Sequence, residues 1–425
     1  MLVHIGKRIS KIRKIKGIPQ EDICHGVLSR SHLSNIESGR YEPNMNVLQA
    51  VAKRLKLPVD YLVCYQETDK GLEELLKLVD QQLDEDLVKA EQSIKNIQHD
   101  HPFIPSVNQE ALYYLLLSCF YIKTQSFKRA IHCFQNEFIP LINEHRIDLM
   151  STMIQDHYYH VRALIAFHYK RYEQSEQYLL KQLKVCQRSI RQAHIYLHMG
   201  YALYYASNIQ KGIDYAQQAQ ELFLAVNRMD KVTEVTTLLG MLYRENAALQ
   251  QAENALAKAL DLAKQHGDLV QQGHIYHHLG LTHEANQRCQ DALQHLFRAV
   301  EVKKYTEDST IDQTYSCILN IYIKQQEYQN AAILLKEVKP SAQNTDEAYQ
   351  FNIIEARLRL REGQREAYEA LMKSAIKFFE KQEQYKNILP LAEELGDYFK
   401  RSRKYKLASD YYKLALQANK KITVI

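Results

Sequence analysis

The sequence lacks the features that mark membrane and secreted proteins. No apolar run approaches the roughly 18 residues of a membrane span, and the longest, around Ala111–Ile122, is interrupted by Ser118. Basic amphipathic sequence begins at Gly6, so we expect no signal peptide. The seven cysteines are odd in number, scattered and free of CxxC spacing, which favours reduced thiols. We therefore expect a cytoplasmic protein without a membrane partner.

Motifs for catalysis and cofactor binding are also missing. The sequence has no glycine-rich phosphate loop, no HExxH, and no Ser/His/Asp or Cys/His set that stands out. Histidines cluster at His157 and His160 and again at His274, His277 and His278, where i, i+3 spacing places pairs on one helix face. No ordered carboxylate or cysteine partner accompanies them. A metal site is therefore disfavoured, and we expect no enzyme, no cofactor and no metal.

Positive charge is concentrated at one end of the chain. The 425 residues carry 55 Lys and Arg against 50 Asp and Glu, a net charge of +5. Residues 1–65 hold 11 basic and 5 acidic residues (+6), whereas the other 360 hold 44 and 45 (−1). A small basic module attached to a nearly neutral remainder predicts an anionic partner for that module alone.

Five short helices are predicted within the basic module. The first spans residues 5–16, with isoleucines on one face and lysine and arginine on the others. A second begins near Pro19 and ends at Gly26, and a third runs from the N-cap Ser29 to Ser38 and Gly39. The fourth and fifth follow Pro43 and Pro58. The isoleucines expected to point inward from the first helix are Ile5, Ile9, Ile12 and Ile15.

This layout and its residues resemble the lambda-repressor/Cro (XRE) class of helix-turn-helix domains. The matching residues are Gln20-Glu21-Asp22-Ile23, Leu33-Ser34-Asn35-Ile36-Glu37-Ser38-Gly39, Pro43 and Leu48–Leu55. The stretch between Gln20 and Ser29 is one residue shorter than usual, which is closer to the PlcR type. The resemblance implies that the third helix enters the major groove by its N-terminal end.

Several side chains are then placed to contact double-stranded DNA. Arg30 and Asn35 carry forked polar groups that match base edges, although each could instead touch only phosphate. The better candidates for phosphate contacts are Lys16, Gln20, Arg40 and Tyr41. The basic face of the first helix either contacts phosphate or is solvated. The full set of expected DNA-binding residues is Gln20, Ser29, Arg30, Ser31, His32, Asn35, Arg40 and Tyr41.

The rest of the chain contains a repeat with a period of about 40 residues. Glycines at 200, 240 and 280 are each followed after twelve residues by Gly212, Ala252 or Ala292. Ala216, Leu256 and Leu296 come four residues later, and Ala219, Ala259 and Ala299 three residues after those. Small residues allow two helices to approach, and large ones fill the groove between them. The pattern resembles the tetratricopeptide repeat, whose period is about 34.

The repeat predicts an all-α fold in which a helix-turn-helix domain (1–65) and a linker (66–71) precede a right-handed superhelical solenoid. We expect about eight or nine helix pairs over 72–425. A solenoid presents a concave groove suited to peptides, and tyrosine, arginine and asparagine suit an extended peptide, although the tyrosines could instead only pack between repeats. The residues predicted to bind it are His160, Tyr201, Tyr204, Tyr205, Arg244, His277, Asn320 and Lys324.

A helix-turn-helix domain followed by a long repeat array resembles the RRNPP family, with PlcR-like and NprR-like features. The resemblance implies a homo-oligomeric transcription regulator that responds to a short re-imported signalling peptide in quorum sensing. Two alternatives stay open. The array either binds a protein such as a sporulation response regulator, or serves only for oligomerisation.

Overall fold

In the computed structural model, residues 5–142, 144–339 and 346–424 are described, and these residues form helices and connecting turns without a strand. The chain divides into two compact units, one ending at Val226 and the other beginning at Asn227. The first unit opens with five short helices. They are α1 (Ile5–Ile15), α2 (Gln20–Cys24), α3 (Arg30–Ser38), α4 (Met45–Arg54) and α5 (Val59–Val63).

The five helices enclose a small apolar core. Ile9, Ile23, Leu33 and Ile36 are fully buried in it together with residues of α4 and α5. The expectation that Ile15 points inward is wrong, because its side chain is 71% exposed. It lies at the last residue of α1, where the helix ends and no neighbouring element covers it.

Eighteen further helices follow within the described residues, and consecutive helices pair into nine helical hairpins. In the first unit the pairs are α6 (Lys70–Glu85) and α7 (Leu87–Asp100), α8 (Val107–Lys123) and α9 (Phe127–His132), α10 (Thr152–His168) and α11 (Tyr172–Val185), and α12 (Ser189–Tyr205) and α13 (Ile209–Ala225). In the second unit they are α14 (Met229–Glu245) and α15 (Leu249–Gln265), α16 (Leu269–Ala285) and α17 (Cys289–Tyr305), α18 (Ile311–Lys324) and α19 (Tyr328–Val338), α20 (Asp346–Arg361) and α21 (Arg365–Lys381), and α22 (Tyr385–Arg401) and α23 (Tyr405–Val424). We call the first helix of each hairpin its A helix.

The 40-residue period follows from helix and turn lengths. Each helix from α12 to α17 has 17 residues. Three-residue turns join them, and the middle residue of the turn has positive φ, as at Ser207, Ala247 and Gln287. The left-handed residue lets the chain reverse directly after one helix and start the next. Longer helices, rather than longer loops, therefore account for the excess over 34 residues.

The repeated glycines mark the point where the two helices of a hairpin touch. A Cβ built on Gly240 would lie 2.5 Å from Cγ of Leu256, and one on Gly280 would lie 2.5 Å from Cγ of Leu296. Gly396 is equally confined, because its Cβ would meet the ring of Tyr412 at 2.7 Å. The leucines are fully buried and occupy the space that a side chain on the glycine would need.

One hairpin departs from the regular pattern. Helix α9 lasts only six residues and passes into a π-helical turn, Cys133–Phe138, which is followed by 3-10 turns at Ile139–Leu141 and Glu144–Leu149. Such irregular turns leave backbone carbonyls outside the regular helical ladder. Two of these carbonyls, at Glu137 and Ile142, accept hydrogen bonds from α1. Nowhere in the described part of the chain is a helix long and apolar enough to cross a membrane.

Candidate functional site

Helix α3 is capped at both ends. Oγ of Ser29 accepts a hydrogen bond from the backbone N–H of His32 at 3.2 Å, and Gly39 closes the other end with φ of 85°. Leu33 and Ile36 anchor its inner face in the core. This arrangement presents the opposite face of α3 to solvent as a fixed surface.

The exposed face of α3 contains most of the predicted DNA-contacting residues. Arg30, Ser31 and Asn35 are exposed there, and Arg40 and Tyr41 are exposed directly after the helix. Their positions are compatible with the predicted contacts, which remain predictions. Arg30 forms a solvent-exposed ion pair with Glu21 at 2.9 Å, a contact weak enough for DNA to displace.

Two of the predicted contact residues are partly occupied by internal contacts. The ring of His32 is half-buried and packs edge-on against Tyr41, with ring centroids 4.4 Å apart. The amide of Gln20 donates to Glu37 at 2.8 Å, and Arg13 clamps the same carboxylate from Nε at 2.6 Å. Burial opposes ionisation of Glu37, but the hydrogen bonds from Arg13 and Gln20 lower its pKa. Gln20 therefore helps to join α1, α2 and α3.

Part of the basic face of α1 docks on the first repeats of the same unit, an outcome that the sequence did not suggest, whereas Lys14 on that face is exposed to solvent. Nζ of Lys11 lies 2.6 Å from Oε2 of Glu137, and Nζ of Lys7 donates to the carbonyl of Ile142 at 3.0 Å. Lys16, predicted as a phosphate contact, donates instead to the carbonyl of Leu55 at 2.6 Å.

Arg8 is the centre of this docked interface. Its guanidinium lies 2.6 Å from Oε2 of Glu110, and the two side chains are only 1% and 7% exposed. The guanidinium also donates to the carbonyls of Tyr61 and Pro105, at 2.7 and 2.6 Å, and to that of Ile104. The hydroxyl of Tyr61 donates to the other oxygen of Glu110 at 2.6 Å. Removing either charge would leave its partner buried and unpaired, at a cost of about 3–5 kcal/mol.

In the first unit, the predicted peptide-binding tyrosines lie in an aromatic cluster. The ring of Tyr205 stacks on Tyr172 at 5.2 Å and meets Phe167 edge-on at 5.7 Å, so it bridges α12 to the preceding hairpin. It is nevertheless 42% exposed. Tyr204 packs edge-on against Tyr205, and Tyr201 is half-buried one turn earlier on α12. These tyrosines therefore pack between repeats and still offer exposed surface.

His160 lies apart from the tyrosines, against His198 at 5.9 Å. Burial, together with the nearby charges of His198 and Arg191, holds the pKa of His160 well below its usual value. The ring is therefore neutral at physiological pH.

In the second unit, Arg244 and Lys324 line a common cavity of about 510 Å³. Glu284 lies between them, with one carboxylate oxygen 3.8 Å from Nζ of Lys324, and Arg244 pairs with Glu245 at 2.9 Å. Asn320 is exposed one turn before Lys324 on α18. The cavity is open to solvent and is lined by both positive and negative side chains.

His277 does not project into a groove as the spacing predicted. It is 9% exposed, and its Nδ1 lies 3.1 Å from Oγ1 of Thr314. Burial and the nearby charges of Lys303 and Arg244 lower its pKa to about 3. The buried ammonium of Lys303 donates to the hydroxyls of Thr310 and Thr314, at 2.8 and 3.2 Å. His274, His277 and His278 occupy positions i, i+3 and i+4 on α16. Periodicity alone did not show that His277 makes a buried polar contact instead of facing the surface.

A second ionic cluster was missed by sequence reasoning. Oδ1 of Asp80 on α6 lies 2.6 Å from Arg191 on α12 and 3.0 Å from Nε2 of His157 on α10. Arg191 also binds Asp156 at 2.6 Å, and Arg188 binds the other oxygen of Asp80 at 2.9 Å. Asp80 and Arg191 are 111 residues apart, so no local spacing could indicate the pair.

The electrostatics of this cluster are strongly coupled. Burial and the Arg191 charge lower the pKa of His157, but the Asp80 carboxylate and a hydrogen bond with Cys119 outweigh them and raise it to about 9. Burial opposes ionisation of Asp80, yet the charges of His157 and Arg191 lower its pKa. His157 is therefore protonated at neutral pH. Among the described residues, no group of three His, Cys, Asp or Glu side chains is arranged to hold a metal ion.

Comparisons with known proteins give three similarities along the chain. A helix-turn-helix family model matches residues 9–62. The sequence is 24% identical over 419 residues to the transcriptional activator NprA of Geobacillus stearothermophilus, covering 93% of this chain and 98% of NprA. It is 21% identical over 328 residues to response regulator aspartate phosphatase I of Bacillus subtilis, covering 74% and 82% of the two chains.

The same fold occurs in a solved structure of NprR in complex with its cognate peptide NprX. The TM-score is 0.62 at 15% sequence identity, with 83% of this chain and 98% of NprR covered. The helix-turn-helix match, the nearly full-length similarity to a transcriptional activator and the shared repeat fold make this chain similar to the transcription regulators of the RRNPP family.

Proposed function

We propose that this regulator binds operator DNA through α3 and is switched by a short signalling peptide held against its repeats. Two features together support this proposal. Helix α3 is exposed and capped at both ends, and the repeats contain a cavity lined by Arg244 and Lys324. Arginine and lysine recognise carboxylates by charge-assisted hydrogen bonds, and a peptide always supplies one at its C-terminus unless it is modified. NprR, which shares the fold, was solved with a peptide.

The proposal includes a homo-oligomer acting in the cytoplasm. Helix-turn-helix domains usually read two half-sites about 34–36 Å apart, so two copies of α3 must be held at a defined spacing. A peptide that binds one arrangement more tightly than another shifts the population toward it, by typically 1–3 kcal/mol of coupling. The peptide would be secreted, processed and re-imported, as the family resemblance implies.

The test is a genome-wide footprint of the purified full-length protein. Footprints are recorded alone, with the low-molecular-weight fraction of spent medium from the source culture, and with the same fraction after protease digestion. A footprint that changes with the fraction and reverts after digestion supports a peptide. A change that survives digestion contradicts the peptide and indicates another small molecule.

A second candidate function is supported by the similarity to response regulator aspartate phosphatase I over 74% of this chain. Here the repeats would bind a response regulator in place of, or as well as, a peptide. The test incubates the protein with a phosphorylated receiver domain and follows both complex formation and loss of the phosphoryl group. A footprint insensitive to the fraction, together with a stoichiometric complex, would favour this alternative.

A further inference from the structure

We propose that Asp80 and Arg191 are positioning residues for the DNA-binding domain, which they hold in place through α6 although they lie outside that domain. The inference concerns how the repeats are connected to the helix-turn-helix domain. It is independent of which ligand the repeats bind.

The first observation is that α6 is tied to α12 through Asp80 and, at 3.6 Å from the same Arg191, through Asp84. Asp80 is 6% exposed and receives three donors: Arg188, Arg191 and His157. Arg191 in turn holds Asp156 on α10. Asp80, the carboxylate with the shorter contacts, therefore fixes α6 against the A helices of the third and fourth hairpins.

The second observation is that the beginning of α6 is tied to α8. The backbone N–H of Asp69 donates to Oε1 of Gln109 at 3.0 Å, and the amide of Gln109 donates back to the carbonyl of Asp69 at 2.6 Å. Gln109 is 6% exposed, whereas Asp69 itself is exposed, so the reciprocal pair is partly shielded from water. Asp69 and Asp80 are separated by eleven residues, or about 16 Å along a helix.

The third observation is that the same turn of α8 contacts the DNA-binding domain through Glu110 and Val107, which we call the domain seat. Glu110, next to Gln109, receives Arg8 and Tyr61 of the helix-turn-helix domain. The backbone N–H of Val107 donates to the carbonyl of Tyr65 at 3.0 Å. A displacement of α6 therefore acts on the start of α8, and so on the two residues that hold the domain.

These contacts connect α12 to α1 through polar groups at Asp80, Asp69 and Glu110, with helix α6 itself forming the link between Asp80 and Asp69. Each polar contact is a short hydrogen bond or ion pair with at least one buried partner, so it responds to displacement more stiffly than an apolar contact would. A ligand or partner that withdraws Arg191 from Asp80 would free the middle of α6 and loosen the seat at Glu110. Physical contiguity alone does not demonstrate coupling, so the test measures coupling directly.

The experiment is amide hydrogen exchange on the full-length protein without ligand or DNA. The reporters are the amides of Asp69 and Val107, which bond across the α6–α8 contact and the domain seat. We expect Asp80→Asn and Arg191→Met to accelerate exchange at both reporters at least tenfold. Amides in α4 stay protected, because the DNA-binding domain remains folded.

The matched control is Lys211→Gln. It removes an ion pair between α13 and α11, with Glu176, that does not involve α6. Exchange at Asp69 and Val107 should stay within about twofold of wild type in this variant. If Arg191→Met also exposes α13, Arg191→Lys supplies a milder change that keeps the charge.

The decisive comparison is a double-mutant cycle with Glu110→Gln. If the two ends act through one connection, Asp80→Asn adds less than twofold to the acceleration at Val107 already caused by Glu110→Gln. Independent, multiplicative effects would overturn the proposal. Unchanged reporters in Asp80→Asn and Arg191→Met, with faster exchange confined to α10 and α12, would overturn it as well.

Discussion

Individual side chains in the DNA-binding domain divide into those that face solvent and those that hold the domain together. Arg30 and Asn35 face outward, whereas Arg13 and Gln20 are committed to Glu37. The exposed pair of Arg30 with Glu21 stores little free energy. Arg30 is therefore available to DNA at small cost, and its contribution can be isolated by mutation.

Arg30→Ala should weaken binding to a specific operator by about 1–3 kcal/mol if the guanidinium reads a base, and should relax preference at one position. Fluorescence anisotropy on the operator and on single-base variants measures both effects. Arg298→Ala, which removes an exposed arginine of α17, is the control. An equal loss on every DNA sequence would show a phosphate contact instead.

His157 should make the protein lose stability in mild alkali. Its folded pKa of about 9 lies above the unfolded value of about 6.5. The protonated ring therefore contributes stability that is fully present below pH ~6.5 and is lost as pH rises through ~9, on the order of 3 kcal/mol in all.

Calorimetry of wild type and His157→Gln between pH 6.5 and 9.5 tests this. The difference in Tm should be largest at the acidic end and shrink toward the alkaline end. His266→Gln, at an exposed histidine, serves as the control. A Tm difference that is constant across this range would contradict a titrating role for His157.

At the level of elements, the hairpin is the repeating unit, and its geometry depends on one close contact. Gly280 permits α16 to touch α17 where Leu296 fills the groove. The hairpin of α12 and α13 has Gly200 with Ala216 at the same offset, a smaller pair. The two helices of a hairpin can therefore meet at this point with either a glycine and a leucine or a glycine and an alanine.

Gly280→Ala should lower stability by about 1–3 kcal/mol, because the new methyl group overlaps Leu296. Gly71→Ala should be neutral or slightly stabilising, since its Cβ meets only Oδ1 of Asp69 at 3.4 Å and alanine favours helix. Thermal unfolding of both variants provides the measurement. Equal effects of the two substitutions would show that the close contact is not responsible.

Helix α1 provides a separate test of how the basic charge is used. Lys11 is 13% exposed and bound to Glu137, whereas Arg40 is exposed beside α3. In a plot of log K for DNA binding against log salt, Arg40→Gln should reduce the slope by about 1 and Lys11→Gln should leave it unchanged. If Lys11→Gln reduces the slope as much as Arg40→Gln does, α1 leaves the domain seat when DNA binds.

At the level of the whole molecule, the DNA-binding surface and the repeat cavity are separate sites, α3 lying in the first unit and the cavity in the second. Substitutions in the cavity should therefore affect the response to ligand without affecting DNA binding. Because the two sites are separate, the cavity can be changed by mutation while DNA binding is measured.

Arg244→Ala, Asn320→Ala and Lys324→Ala should each abolish the change in footprint caused by the spent-medium fraction, because each removes a polar group from the proposed peptide surface. Ligand-free operator affinity should stay within about threefold of wild type. The control is Arg298→Ala. A wild-type response in all three variants would move the ligand site elsewhere on the repeats.

Much of this architecture is predictable from the sequence because its causes are local. The recognition helix follows from Ser29, Leu33, Ile36 and Gly39, whose spacing is that of a capped amphipathic helix. The hairpins follow from residues twelve to nineteen positions apart, since each helix packs first against the next. Tyr205 and Arg244 are predicted to bind peptide on the same basis, because their positions within the repeat place them on A helices.

Tertiary structure alone decided which charged residues are buried together. Arg8 meets Glu110 across 102 residues, and Asp80 meets Arg191 across 111. Before folding, each of these side chains is one charge among many, and its sequence neighbours do not distinguish a solvated position from a buried one. His277 was misplaced for the same reason. The sequence by itself therefore determined the helices and their hairpins, whereas the docking of α1 and the tie between α6 and α12 emerged only once packing had excluded water around particular pairs of charges.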